Sequence, residues 1–518
     1  MRTVHVPVHG SRLATDVHLP PAGQAGRHPA VVIRTPYGRG SHTAEACAWA
    51  ARGFAVVVQD VRGRHGSARR GGPGEWRPFA HEAADGTATV RWVRTRPWSD
   101  GRIVAVGASY AAYCALVAVT GDRTTPAPPA AEAPDAVIAA VPALGTAEVA
   151  RERSGVERLL GRAGWWAAHG DRSDSDPTAL DVRLARAPEL LAHLPVATLP
   201  DRLGRPLPSW RGVWDARRED LVIARAAAAR VPLLAVGGTH DPFATDTLAL
   251  WRRWGGPARL LVGPWGHALT ADPGPGAQHH IAVGETYARW ARAACDGALR
   301  QGSHGVVALA GTPRWYRADG VVPVGDARAY RFDDARGVRL LHGPTFLADP
   351  HRPVRSDDLR IDPDRADRAL LVTEPLTRPM DLLGPASALL RAEATTPCAD
   401  WFVRLVALDA NGRAEPVAVG SARTARPARN GAALRVVRVD LGFLARRLPI
   451  ATRLRIEVAG HHFPAHARNP HTGEDPVTAV RLAPSRRIVH TGGSALLLPA
   501  ARLHRADAVA DPSEEICT

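Results

Sequence analysis

The chain contains no lysine: all 66 of its Lys+Arg residues are arginine, and only two residues are methionine. A formal net charge of +15 would suit a polyanionic partner, yet no run of five basic residues occurs, and a nucleic-acid face clusters its cations. The bias, set beside heavy use of Ala, Gly and Pro, reads as GC-rich coding drift spread over the surface. Nucleic-acid binding is therefore not expected. Cysteine is also scarce. Cys47, Cys114, Cys295, Cys398 and Cys517 are odd in number, scattered, and without C-x-x-C spacing, which excludes a disulfide framework or a cysteine zinc site. Residues 1–20 lack a charged segment followed by an apolar one, and no apolar stretch reaches the ~18 residues that span a membrane. The expectation is a soluble, cytoplasmic protein with reduced thiols, and homo-oligomerisation is left open.

What is present is a chain of 518 residues with 45% hydrophobic composition, enough for roughly three or four domains with sizeable cores. Residues 3–19 alternate apolar and polar on either side of His9-Gly10, as two antiparallel strands do. Continuous apolar runs follow at Ala30–Arg34 and Phe54–Val58, with a helical segment, Ala44–Arg52, between them. Runs of this kind suit strands covered on both faces, and their alternation with helices predicts a mainly parallel, doubly wound sheet.

A third such strand, Ile103–Val106, meets Gly107-Ala108-Ser109-Tyr110-Ala111 and then an alanine-rich helical segment. Strand, sharp turn and helix together hold a nucleophilic serine above the end of a parallel sheet, so Ser109 is the candidate nucleophile. Ala111 occupies the place of the second glycine in Gly-x-Ser-x-Gly, adding one methyl. Residues 145–225 carry Arg, Ala and Leu at helical spacing, broken by Pro188, Pro195, Pro200, Pro206 and Pro208. They predict a helical insertion able to cover the serine, with Trp165, Trp166, Trp210 and Trp214 available to line it or to pack it. The sheet resumes at Val231–Val236, before Thr239-His240-Asp241-Pro242-Phe243, and at Ala258–Val262, before Gly263-Pro264-Trp265-Gly266-His267. Two strand ends thus present Asp and then His after Ser, the chain order that α/β-hydrolases use.

Alternatives stand beside each residue. Tyr37 would close a turn after Pro36, Asp246 would replace Asp241 were it not within a helix, and His267 would bond backbone at a strand end. The glycine- and arginine-rich loop 63–78, with Arg62, Arg64, Arg69 and Arg70, reads either as a connector or as a substrate rim suited to an acidic substrate. The pairs His279-His280 and His461-His462 lack the i, i+4 spacing of helix-borne ligands, so no metal is assigned. Beyond Gly302 the segments are short, alternating and turn-separated, which predicts a jelly-roll sandwich. Residues 507–518 are largely polar or small and are expected to fray.

The ordered segments Gly10–Val17, Arg34–Gly38, Gln59–Gly63, Trp98–Gly101, Gly107–Tyr110, Gly238–Phe243, Gly263–His267 and Phe463–Glu474 resemble those of one family. It comprises the cocaine esterase-like acyl hydrolases, grouped with X-Pro dipeptidyl peptidases and α-amino acid ester hydrolases, and the resemblance spans nearly the whole chain. It implies an α/β-hydrolase domain (1–144 and 226–300), a helical cap (145–225) and a C-terminal all-β jelly roll (301–518). It implies Ser109 as nucleophile, Asp241 as acid and His267 as base, with an oxyanion hole formed by the Tyr110 backbone N–H and the Tyr37 hydroxyl. Phe243, and Trp165 or Trp166, fall at its substrate pocket. No cofactor is implied, and the partner is a small-molecule ester or amide. X-Pro dipeptidyl peptidase, β-lactam or α-amino acyl hydrolase, acyltransferase and non-catalytic binding readings remain beside simple acyl-ester hydrolysis. Thr239-His240 stand where the family commonly has Trp-Tyr, which implies a reshaped pocket wall.

Overall fold

The computed structural model describes residues 1–21, 26–68, 76–319, 326–425 and 434–518. A hairpin, β1 (Arg2–Val8) and β2 (Ser11–His18), opens the chain around Gly10, whose φ of 71° is left-handed backbone that glycine adopts without steric cost. Next come β3 (His28–Thr35), β4 (Ala55–Asp60), β5 (Ser99–Ala108), β6 (Ala136–Ala140), β7 (Leu233–Gly238) and β8 (Ala258–Gly263). They assemble in the order β1-β2-β4-β3-β5-β6-β7-β8, continued by Ser303–Ala308, Trp315–Arg317 and Ala508–Val509. From β4 to Ser303–Ala308 every neighbour is parallel. Helices α1 (Thr43–Ala51) and Val283–Cys295 pack one face, and α2 (Glu82–Arg94), α3 (Tyr110–Thr120) and Ala244–Arg253 the other. Coverage on both faces explains the unbroken apolar runs, since residues pointing either way are buried.

Two expectations are corrected here. Ser303–Ala308 and Trp315–Arg317 extend the hydrolase sheet rather than opening the β domain at 301. Their Val306-Val307-Ala308 run is continuous and fully buried, the signature of a sheet interior rather than of a half-solvated sandwich strand. The tail 507–518 does not fray either. Ala508–Val509 pairs with Trp315–Tyr316, and Ile516 is buried in the core beside Val283–Cys295.

Between β6 and β7 the chain forms the helices Thr146–Ala150, Leu159–His169, Ala179–Arg186, Leu199–Leu203, Trp210–Asp215 and Leu221–Ala226. Most of these pack round a small core of their own, including Leu159, Trp166, Leu191, Trp210 and Trp214, to which Phe463 and Val477 contribute from the far end of the chain. The C-terminal unit is a 10-stranded antiparallel sheet wrapped on a second core. Its strands are longer than the sequence suggests: Met380–Ala394 has 15 residues and Ser485–Ala501 has 17. Register shifts at Pro385/Ser387 let one strand pass points that break the alternation.

The β domain also seats the cap. Leu159 and Leu160, opening the helix Leu159–His169, donate backbone N–H bonds to Ala465 (2.9 Å) and Pro464 (3.1 Å). Beside them the half-buried Arg423 is shared between the buried Glu157 and Asp400, each at 2.7 Å.

Candidate active site

Ser109 joins β5 to α3 with φ 56° and ψ −119°, a strained conformation for a residue with a side chain. Its N–H is held by Ala140 O at 2.9 Å. The tight return of the chain falls on Gly107, where a Cβ would lie 2.2 Å from the carbonyl carbon of Ala111. Glycine is therefore required at 107, while the methyl of Ala111 is buried within the elbow helix.

The ends of β7 and β8 bring Asp241 and His267 to this turn. His267 Nε2 lies 3.0 Å from Ser109 Oγ, and His267 Nδ1 lies 2.7 Å from Asp241 Oδ1. The Asp241 side chain is wholly buried and also accepts the Phe243 N–H at 3.1 Å, which fixes its orientation. Asp246, the alternative acid, is instead bonded to Arg153 (2.7 Å) and Arg218 (2.5 Å). The Phe243 ring stands edge-on to His267, with centroids 5.4 Å apart.

Tyr37 follows β3, its N–H bonded to Thr35 Oγ1 at 3.1 Å. Its hydroxyl reaches Ser109 Oγ at 3.5 Å, and the indole N–H of Trp165 donates to the Tyr37 oxygen at 3.4 Å. A cavity of about 410 Å³, lined by Asp16, Arg39, Asp60 and His65 among others, opens against Tyr37. There the two carboxylates are taken up by Arg39. Tyr110 is the first residue of α3, so its backbone N–H has no acceptor in its own helix. Trp165 stacks on the Tyr110 ring at 5.9 Å, whereas Trp166 is packed in the cap core, donating to Ser209 Oγ at 2.9 Å. Of the two tryptophans expected at the pocket, Trp165 meets Tyr37 and Tyr110 while Trp166 turns into the cap core.

Several contacts are not visible in the sequence. The Tyr110 hydroxyl donates to the buried carboxyl of Glu82 and accepts the Phe79 N–H at 2.7 Å. Burial pushes both Glu82 and Tyr110 above their ordinary pKa values, Tyr110 further because Glu82 faces it. His169 meets Tyr37 edge-on at 5.1 Å, and burial drops its pKa to about 4. Only the helical spacing from 81 to 94 hinted at Glu82, and nothing local marked His169.

The arginine rim is revised. Arg64 is fully buried, bonded to Pro36 O (2.8 Å), His169 O (3.0 Å), Arg172 O (2.5 Å), Asp174 O (2.5 Å) and Ser175 Oγ (2.7 Å). It ties loop to cap and has no arm left for a ligand. Arg62 pairs with Asp85 at 2.6 Å, and Arg69 and Arg70 lie outside the described residues. His240 packs on Gly274 and senses Arg446 and Glu415 of the β domain, so the Thr239-His240 change reaches the seam between domains. Among the described residues no group of three or more His, Cys, Asp or Glu is placed to hold a metal, and no helix is long and apolar enough to cross a membrane.

Sheet, elbow, cap and appended all-β unit define a serine hydrolase of the α/β-hydrolase fold, acting on carboxylic ester or amide bonds. The family model of X-Pro dipeptidyl-peptidase (S15 family) matches residues 9–269, and that of the X-Pro dipeptidyl-peptidase C-terminal non-catalytic domain matches residues 268–496. The chain belongs to the S15 family. It is 27% identical to Cocaine esterase of Rhodococcus sp. (strain MB1 Bresler), over 91% of this chain and 92% of that protein. Among solved structures it is similar to an alpha-amino acid ester hydrolase (TM-score 0.73, 18% identity, 96% of each chain). It is also similar to an aminopeptidase from the marine sediment archaeon Thaumarchaeota archaeon (TM-score 0.74, 19% identity, 96% of this chain and 95% of that one). At these identities the structural likeness speaks for the fold.

Proposed function

We propose that the protein cleaves a small acyl ester, or an amide, through an acyl-enzyme on Ser109. The observation that carries this is the unbroken hydrogen-bonded line from Ser109 Oγ through both nitrogens of His267 to Asp241. A serine hydroxyl is a poor nucleophile until a base removes its proton. His267 takes that proton as Oγ attacks the carbonyl carbon, and Asp241 holds the tautomer that leaves Nε2 free and stabilises the imidazolium. The oxyanion is met by the Tyr110 N–H and the Tyr37 hydroxyl, the latter oriented by the Trp165 indole. His267 then protonates the leaving group, and water repeats the sequence to free the acid. Phe243 shields one side of the imidazole, and the insertion 145–225 acts as the cap.

An ester is favoured over an X-Pro peptide because a free α-amine requires unengaged carboxylates near the serine. Glu152, on the cap side, is bound to Arg158 (2.7 Å) and His466 (3.0 Å). Burial pushes the Glu152 pKa up, but those two partners outweigh it and hold the carboxyl well below the usual range. A fluorophosphonate probe should label the protein, with labelling lost in Ser109→Ala, and p-nitrophenyl acetate should be cleaved in preference to Ala-Pro anilide. An unlabelled protein overturns the acyl-enzyme. Preferred cleavage of the anilide overturns the ester assignment.

A further inference from the structure

The cap helix Leu159–His169 and its first flanking residue present Arg158, Arg162, Trp165 and His169 at intervals of four, three and four, which places them along one face. At one end of that face Arg158 lies over the Phe243 ring at 5.6 Å, and Phe243 in turn meets His267. At the other end Trp165 and His169 meet Tyr37. Ser109 lies between His267 and Tyr37, and Arg162 stands between the two ends of that face.

Arg162 is a guanidinium without a counter-ion. Its Nε is shut off from solvent with no hydrogen-bond partner, and its two Nη groups, which remain accessible, have no hydrogen bond or ion pair among the described residues. Several arginines withdrawn from solvent are held by acceptors: Arg423 by Glu157 and Asp400, Arg404 by Glu457, Arg64 by five oxygens, and Arg487, which lacks an ion pair, by His471 at 2.9 Å. The titratable groups that act on Arg162 are Arg158 and, more weakly, the Tyr37 phenol, and no carboxylate is among them. Burial, with Arg158 beside it, lowers its pKa to about 9, so it stays charged at neutral pH. A desolvated cation left unpaired costs stability, and a planar fork of donors is the shape that matches a carboxylate. Arg158 is already offset by Glu152, which leaves one uncompensated positive charge, suited to a monoanion.

We propose that Arg162 is the receptor for a carboxylate carried by the acyl part of the substrate, so that the enzyme prefers half-esters of dicarboxylic acids to neutral esters of equal length. The acyl side is indicated because the leaving group must lie toward His267 for protonation, at the Arg158–Phe243 end of the face, which leaves the acyl chain the stretch from Arg162 toward Trp165 and Tyr37. The assignment rests on the Ser109 acyl-enzyme reading and deepens it.

The test compares kcat/KM for monomethyl glutarate and methyl pentanoate, chains of equal length differing by the carboxylate, with acid release followed by titration. Wild type should favour the glutarate by about tenfold or more, the effect of a charge-assisted bidentate pair. That ratio should fall to about one in Arg162→Met and recover in part in Arg162→Lys, which keeps the charge but not the fork. A second measurement needs no variant. Raising salt from about 20 mM to about 0.5 M should raise KM for the glutarate and leave it unchanged for the pentanoate. A wild-type ratio at or below one, a ratio unmoved in Arg162→Met, or a salt-independent glutarate KM overturns the carboxylate receptor. If fluorophosphonate labelling of Ser109 persists in that case, the acyl-enzyme stands and only the receptor falls. Absence of labelling overturns both.

Discussion

Ser109 is met from the sheet by Asp241, His267 and Tyr37, which follow the strands β7, β8 and β3, and from the cap by Trp165 and the helix Leu159–His169. The sheet side is built by local chain geometry: each residue follows its own strand by a few positions, and strand pairing alone fixes the spacing. The cap side depends on contacts between distant segments. Trp165 is 128 residues from the Tyr37 it bonds, and the helix that carries it starts on Pro464 and Ala465. The proposed nucleophile, base and acid are thus set by the parallel sheet, while the position of the cap side is set by contacts among three units.

The first way to sharpen this contrast is to remove its centre. Ser109→Ala should lower ester hydrolysis by on the order of 10⁴ or more with an unchanged thermal transition, measured by p-nitrophenol release and calorimetry. Next, Glu157→Ala strips Arg423 of one partner and loosens the seat of the cap. Removing one member of a buried ion pair costs about 3–5 kcal/mol, here read as a lower denaturant midpoint, and fluorophosphonate labelling should survive it. Labelling lost together with the midpoint would show the two sides to be one cooperative unit. Tyr37→Phe should reduce kcat by about 10²–10³ with little change in KM, the cost of one oxyanion donor. A KM effect without a kcat effect would move Tyr37 from the reaction to substrate binding.

The smallest effect is on pH dependence. Burial lowers the pKa of His462 to about 3 and that of His471 to about 4, from 6.5. Both residues belong to the stretch 462–471 that includes the cap's seat. A histidine whose folded pKa is depressed is proton-hungry only when unfolded. Its contribution is therefore complete above pH 6.5 and is lost as pH falls from there toward the folded value, by up to about 1.4 kcal/mol per unit for each group. Urea midpoints should decline between pH 7 and pH 5, and His462→Gln should flatten the slope. An unchanged slope in that variant would place the acid sensitivity elsewhere.

Legibility in the sequence follows the same division. The strands, the elbow and the ordered Ser109, Asp241 and His267 could be read because sheet periodicity and strand-end motifs are short-range signals. Glu82 under Tyr110, His169 against Tyr37 and the isolated charge of Arg162 could not, since each is defined by what a distant segment fails or manages to supply. Loop 63–78 shows how composition misleads: Arg64 looked like a rim residue and is a buried tie between loop and cap. The boundary at 301 was misplaced for a different reason. Val306-Val307-Ala308 belongs to a run too short for its apolar continuity to stand out against the alternating strands that follow.

The bonds from Leu159 and Leu160 to Ala465 and Pro464 bear on whether the cap helix could be moved between proteins. The helix Leu159–His169 takes its starting point from residues some 300 positions away, so it is not a self-contained cassette. Transplanting 159–169 alone into a relative would move the side chains without the frame that sets their height over the serine. A transplant that carried 463–466 together with the helix would bring that frame with it.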